Sequence, residues 1–246
     1  MRVVAIIQAR MGSTRLPGKV MMKIQGKTVL DHVISRVKQS KETDDIVIAT
    51  TTKSDDDIIE EEALRLNVKC FRGSEEDVLS RYYYAAKENN ADAIVRITSD
   101  CPLIDPEVID GMILKFKKLC SSNRVDYLSN TLKRTYPRGL DAEIFLFKKL
   151  KEALNCADKA YQREHVTPYF YDNTDKFILI DYLNDVDYSN YRWTLDTKED
   201  FELINKIYEE LYCGEHDFYF NDIVELYKHN PNLKKINELI RQKELI

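Results

Sequence analysis

Val3-Val4-Ala5-Ile6-Ile7-Gln8-Ala9-Arg10-Met11-Gly12-Ser13-Thr14-Arg15-Leu16-Pro17-Gly18-Lys19 opens the chain with an apolar run followed by a basic loop. The unbroken apolar run predicts a buried strand. The glycines and the proline after it predict a loop rather than a continuing element. Arg10, Arg15 and Lys19 put three cations there, Ser13 and Thr14 add hydroxyls, and no Asp or Glu precedes Asp31. The whole chain carries a net charge of -5, so this positive charge is local. A polyphosphate suits such a loop: glycine lets backbone N–H groups approach phosphate oxygens, and Arg and Lys neutralise the charge. A basic surface loop without a ligand is the alternative that the residues leave open. The spacing matches neither a Walker loop nor a dinucleotide-binding turn.

Moving outward, Leu30, Val33, Ile34 and Val37 recur at helical spacing, with Thr28 as N-cap. Ile46-Val47-Ile48-Ala49-Thr50 predicts a second strand, and Ser54-Asp55-Asp56-Asp57 opens a helix carrying Ile59, Ala63 and Leu66. Val68-Lys69-Cys70-Phe71 predicts a third strand; Ser74 then caps a helix bearing Val78, Tyr82 and Ala85. Ala93-Ile94-Val95-Arg96-Ile97 predicts a fourth strand, before a helix with Ile109, Met112, Ile113 and Phe116 on one face. Strand–helix alternation of this kind predicts an α/β fold, with a mostly parallel sheet and helices on both faces. Ligands bind such sheets at the carboxyl ends of the strands. The basic loop and Asp100 both follow strand ends and can therefore share one crevice.

The second half is less regular. Strands are expected at 126–130, 142–147 and 177–182, with a short one at 192–195. Helices are expected at 148–156, 160–169, from about 198, 221–228 and 233–244.

At 246 residues and 43% apolar content, the chain can bury a sizeable core. Its acidic balance argues against nucleic-acid binding, and its apolar runs are too short to cross a membrane. The chain passes directly into a strand, so no signal peptide is expected. Five scattered cysteines without a C-x-x-C pair favour free thiols in a cytoplasmic protein.

Asp100 precedes Cys101-Pro102, which exposes its carboxylate at the strand tip. Two carboxylates converging on phosphates would hold Mg²⁺. For Asp196, residue type favours a helix N-cap, and for Asp100 it leaves ligand and turn equally open. Asp55-Asp56-Asp57 reads as a helix N-terminus, and Asp185-Val186-Asp187 as loop. Trp193 reads as packing, and Tyr82-Tyr83-Tyr84 as a helix of mixed burial.

The run from Ile6 to Lys19 resembles the signature loop of the cytidylyltransferases that activate acidic sugars, among them the CMP-Kdo and CMP-sialic acid synthetases. The SpsF branch, named after a spore coat polysaccharide biosynthesis protein, is similar in further blocks. These are Arg72-Gly73-Ser74 through Arg81, Ser99-Asp100-Cys101-Pro102-Leu103-Ile104, Pro137-Arg138-Gly139-Leu140-Asp141-Ala142-Glu143, Arg163-Glu164-His165-Val166-Thr167-Pro168-Tyr169 and Arg192-Trp193-Thr194-Leu195-Asp196-Thr197.

The resemblance implies a three-layer α/β/α nucleotidyltransferase fold of the Rossmann-like, nucleotide-diphospho-sugar transferase type. It implies one domain over 1–246, with an acceptor and dimerisation region at about 131–190 and carboxyl-terminal helices at about 197–246. It implies CTP-dependent transfer of CMP to a sugar acid, releasing pyrophosphate, for a surface polysaccharide of the spore-coat type. Arg10, Gly12, Ser13, Arg15, Lys19, Arg72 and Ser74 would bind nucleotide, with Arg15, Lys19 and Asp100 catalytic. Asp100 and Asp196 would hold Mg²⁺. Arg138, Asp141, Glu143 and His165 would meet the acceptor. Where some sialic-acid synthetases carry a second aspartate, this chain has Thr194, which speaks against a second metal from that strand. The alternatives are a glycosyltransferase on a similar sheet, which needs a metal-binding D-x-D, and a non-catalytic nucleotide-binding subunit.

Overall fold

The computed structural model describes residues 1–242. In chain order the elements are β1 (Val3–Gln8), β2 (Lys23–Ile24), β3 (Lys27–Thr28), α1 (Val29–Val37), β4 (Asp45–Thr51), α2 (Asp57–Arg65), β5 (Lys69–Gly73), α3 (Val78–Glu88), β6 (Ala93–Thr98) and α4 (Pro106–Cys120). There follow β7 (Tyr127–Ser129), β8 (Glu143–Leu146), α5 (Phe147–Cys156), α6 (Ala160–His165), α7 (Pro168–Tyr171), β9 (Leu179–Asp181), α8 (Lys198–Leu211) and α9 (Phe220–His229).

Seven strands form one sheet in the order β5-β4-β1-β6-β8-β7-β9. β1 pairs in parallel with β4 and β6, whereas β8 runs antiparallel to both β6 and β7. The sheet is therefore mostly parallel, as the alternation predicts. The pleat divides the β1 side chains between two cores. Val3, Ala5 and Ile7 face α1, α4 and α8; Val4 and Ile6 face α3 and α5. Period-two alternation with both faces covered is why the strand reads as continuously apolar. No helix among the described residues is long and apolar enough to cross a membrane.

The chain winds from β1 outward to β4 and β5, then returns to β6 on the other side of β1. This reversal opens a crevice past the carboxyl ends of β1 and β6, where Gln8 lies level with Thr98.

Several expectations need correction. Thr28 does cap α1, accepting from the Asp31 N–H. α3, however, is capped by Asp77, and Ser74 forms a turn one step earlier by accepting from the Asp77 N–H. The helix expected at 160–169 breaks at Val166, whose φ is 72°. Pro168 lacks an N–H and its ring would clash with the carbonyl four residues back, so one helix cannot run through. Residues 192–195 form no sheet strand. Their donors go singly to loop carbonyls, Trp193 N–H to Arg138 at 2.6 Å and Leu195 N–H to Asp100 at 2.8 Å. The last expected helix is a short 3-10 segment at Pro231–Ile236, and its expected end lies outside the described residues.

Two histidines without a role in the sequence reading form a buried pair. His32 donates from Nε2 to the Ile24 carbonyl at 2.8 Å, so its Nδ1 accepts from His216 Nε2 at 2.8 Å. Burial drives both rings towards the neutral form, His32 to about 4 and His216 to about 3, with Lys27 and Arg36 adding repulsion. Unfolded histidines take up protons below about 6.5. Between pH 6.5 and 4 the unfolded chain therefore binds more protons, and stability falls as pH falls. Two such groups give a slope of up to about 2–3 kcal/mol per pH unit. Melting temperature against pH should drop across this window and flatten above it. A His32→Asn/His216→Gln variant should lose most of the slope; an unchanged slope would refute the linkage.

Candidate active site

The loop after β1 turns back on itself. Ser13 and Gly18 both donate N–H bonds to the Met11 carbonyl, and Gly18 takes a left-handed φ of 69°. Asp56, expected only as part of a helix start, is buried. It accepts from the Met11 N–H at 2.7 Å and from the Thr51 hydroxyl, which ties the loop to the end of β4. These anchors aim the loop's cations across the crevice.

Lys19 Nζ lies 2.9 Å from Asp100 Oδ2 and 2.8 Å from Asp196 Oδ1. Arg15 Nη2 reaches Asp196 Oδ2 at 2.7 Å. Arg192, quoted in the sequence blocks but given no role there, reaches the same oxygen at 3.0 Å and also holds Asp200. No local signal marks it, because residues 192–196 are not helical. Thr194 donates its hydroxyl to the Asp100 carbonyl at 3.1 Å, and Leu195 N–H donates to that same oxygen. Asp100 and Asp196 come from opposite halves of the chain, and this backbone splice brings them together.

Asp196 is not the N-cap that residue type favours. Thr197 caps α8, its side chain accepting from the Asp200 N–H while Asp200 accepts from Thr197 in return. Asp196 is thus free to turn inward. Burial opposes ionisation of Asp100, but the Lys19 charge and hydrogen bonds from Thr98 and Lys19 outweigh it and hold the carboxyl at about 2. Burial likewise opposes the Lys19 ammonium, and the two carboxylates overcome it, so its pKa is raised. Lys19 is thus a buried cation between two carboxylates, the second of which Arg15 and Arg192 also hold.

Other residues nominated from sequence are spread around this centre. Arg10 lies 3.8 Å from Glu75, which also pairs with Lys53. Gly12 is exposed, and a Cβ there would meet Glu75 at an ordinary 3.7 Å. Ser13 Oγ accepts from the Leu16 N–H at 3.4 Å. Arg72 is committed to the β4–α2 turn: it donates to the Thr51 and Lys53 carbonyls and pairs with Asp57 and Glu60. Asp141 forms a two-pronged pair with Arg134 at 2.6 and 2.9 Å. Glu143 sits level with Arg96 across β6 and β8, buried between Arg96 and the Tyr127 hydroxyl on the α3 face of the sheet. His165 is half-buried at the end of α6.

Both carboxylates address one point, the Lys19 ammonium. Among the described residues no group of three or more His, Cys, Asp or Glu side chains is placed to hold a metal. Two carboxylate donors fit a hard cation that takes its remaining ligands from phosphates and water. The carboxylates of the D-x-D candidates lie elsewhere, Asp57 paired with Arg72 at 2.7 Å and Asp185 and Asp187 on an exposed loop.

The chain matches the family model described as cytidylyltransferase over residues 4–239. It is 35% identical to the spore coat polysaccharide biosynthesis protein SpsF of Bacillus subtilis, over 94% of this chain and 95% of that one. It is 40% identical to a cytidylyltransferase of known structure from Leptospira borgpetersenii. That structure superposes with a TM-score of 0.90, over 99% of this chain and 100% of the other. A CMP:2-keto-3-deoxy-manno-octonic acid synthetase solved with CTP shares the fold at 17% identity, with a TM-score of 0.66 over 85% of this chain and 99% of its own. Matches of that length and identity make the chain a member of the cytidylyltransferase family, nucleotidyltransferases that use CTP.

Proposed function

We propose that the protein transfers CMP from CTP to a sugar acid, releasing pyrophosphate, and that the Lys19–Asp100–Asp196 centre is where this happens. The carrying observation is the Lys19 ammonium held by both carboxylates at 2.9 and 2.8 Å. On this reading Arg10, Gly12, Ser13, Arg15 and Lys19 cradle the triphosphate, and Arg72 and Ser74 support the base side by bracing the turns beside it. The acceptor hydroxyl oxygen bonds to the α-phosphorus as the bond from that phosphorus to the leaving oxygen breaks, and the hydroxyl proton passes to solvent. Arg15 and Lys19 take up the charge that develops on pyrophosphate. Asp100 and Asp196 would hold Mg²⁺, which supplies Lewis acidity at the phosphate oxygens. In the ligand-free chain Lys19 neutralises these carboxylates; nucleotide arrival gives it phosphate partners instead.

Arg138, Asp141, Glu143 and His165 shape the acceptor side, Glu143 from inside the sheet. The relatives named for Kdo and spore coat polysaccharide support a surface-polysaccharide precursor as product. We read the reaction as cytoplasmic, where CTP is made. We also read 131–190 as a region where two copies pair, which the exposed Leu132, Ile178, Leu183 and Val186 support.

Pyrophosphate release should be screened with CTP, UTP, ATP and GTP against a panel of sugar acids. CTP should be preferred, and Asp100→Asn should lower turnover by about 10²–10³-fold, the effect of losing one charge-stabilising group. CTP binding without turnover on any acid would instead favour a non-catalytic subunit.

A further inference from the structure

We infer that the cavity between residues 189–192 and the carboxyl-terminal segment 231–242 seats the acid group of the acceptor, gripped by Arg138, Lys234 and Arg241 over the rings of Tyr191 and Tyr227. This rests on the transfer reading above, in which Arg138 already faces the acceptor, and adds Lys234 and Arg241, which the sequence reading gave no role.

The cavity holds about 290 Å³. That is the small end of ligand pockets and suits one sugar unit rather than a chain. Its lining is strongly cationic, with Arg138, Arg192, Lys234 and Arg241 against Glu238 alone. Arg192 is already neutralised by Asp196 and Asp200. Among the described residues the other three cations have no carboxylate within ion-pair distance, which leaves a positive surplus facing the cavity. Burial and the neighbouring Arg134 and Arg192 charges lower the pKa of Arg138 against the opposing pull of Asp141 and Asp196. A planar guanidinium beside a carboxylate forms paired hydrogen bonds, so a ligand carboxylate satisfies it directly.

The aromatic floor fits the rest of a sugar. The Tyr191 and Tyr227 rings pack 4.7 Å apart, and Lys234 Nζ stands 5.6 Å from the Tyr191 centroid. Tyr227 is buried against Tyr191, so the half-buried Tyr191 is the ring that offers apolar surface to sugar C–H groups.

Position links the cavity to the chemistry. Arg192 lines it and touches Asp196 at 3.0 Å, so a sugar seated there lies one side chain from the catalytic centre. The segment carrying Lys234 and Arg241 is pinned at this spot. Asn237 donates to the Arg192 carbonyl at 2.9 Å and to Asp200 at 2.8 Å, and Arg192 donates to the Gln242 side chain at 2.8 Å. The carboxyl-terminal segment is thus a wall of the active site, and its cations select acidic over neutral acceptors.

The test is calorimetric titration of the protein saturated with Mg²⁺ and a non-hydrolysable α,β-methylene analogue of CTP. The titrants are 3-deoxy-manno-octulosonate and N-acetylneuraminate, each beside its methyl ester. In a Lys234→Ala/Arg241→Ala variant, affinity for the acid that the wild type binds should fall at least tenfold. Affinity for the CTP analogue should stay within twofold. Lys234→Arg/Arg241→Lys should restore the acid. Equal acid affinity in wild type and the alanine variant would overturn the proposal, as would a methyl ester that binds as well as its acid, or a wild type that binds neither acid. Failure of the wild type to bind the CTP analogue would instead sink the transfer reading itself.

Discussion

Lys19→Met should reduce pyrophosphate release by at least about 10²–10³-fold, the range for removing one preorganised charge from a transition state. Its second effect distinguishes a catalytic lysine from a merely structural one. Lys19 is buried, and its ammonium neutralises both Asp100 and Asp196. Removing one partner of a buried ion pair leaves uncompensated charge and costs about 3–5 kcal/mol. For a chain of this length each kcal/mol moves Tm by about 2–4 °C. Tm should therefore fall by roughly 10 °C in a chelator at pH 7.

Magnesium should return more of that loss in the variant than it adds to the wild type, because Asp100 would have lost its lysine while Asp196 keeps only Arg15 and Arg192. The Asp100 pKa should also move up from about 2, since the charge that depresses it is gone. In the wild type that depressed carboxyl contributes stability above about pH 4, and the contribution disappears as pH falls towards 2. Wild-type turnover in Lys19→Met, or a Tm that magnesium leaves unmoved, would contradict the arrangement.

Gly139→Ala should be the most damaging single methyl. Gly139 has a φ of 109°, and an added Cβ would lie 2.4 Å from the Trp193 carbonyl carbon and 2.6 Å from the Thr194 nitrogen. Both are backbone atoms, so no side-chain rotation relieves the contact. A left-handed backbone is itself strained for alanine. The 192–196 segment must therefore move or the loop must unfold, at a cost of about 3 kcal/mol or more. The displaced segment carries Trp193, Thr194 and Asp196, and its bonds to the Arg138 and Asp100 carbonyls hold the site closed. Activity should fall with stability, whereas Asp100→Asn should lose activity for a smaller loss of stability, because Lys19 keeps Asp196 as a partner. Thermal melting of both variants alongside turnover separates the two. A Gly139→Ala protein melting within about 2 °C of wild type would show that the segment yields freely.

The first half of the fold was legible because its signals are local. The apolar runs at Val3–Gln8 and Ala93–Thr98 mark buried strands, and glycine and proline mark the loops between elements. That Lys19 and Asp100 meet followed from topology: both come after parallel strands, and loops past carboxyl ends share a crevice. The second half was harder to read. Its strands are short, and residues 192–195 satisfy their backbone by splicing into loops, which leaves no periodicity. Helix 160–169 showed a continuous pattern, yet Pro168 broke it.

By itself the sequence determined the mostly parallel sheet, the basic loop and the place of Asp100 past the end of a neighbouring strand. These depend on residue type and on the order of strands and helices. Only the tertiary structure decided what each polar group is committed to. It gave the cap to Thr197 and so released Asp196, engaged Arg72 in a turn, enclosed Glu143 with Arg96 and Tyr127, and brought Arg192 and the carboxyl-terminal segment to the edge of the site. The physical reason is competition: a charged side chain has several partners within reach of its sequence neighbours, and packing selects among them by distance and burial.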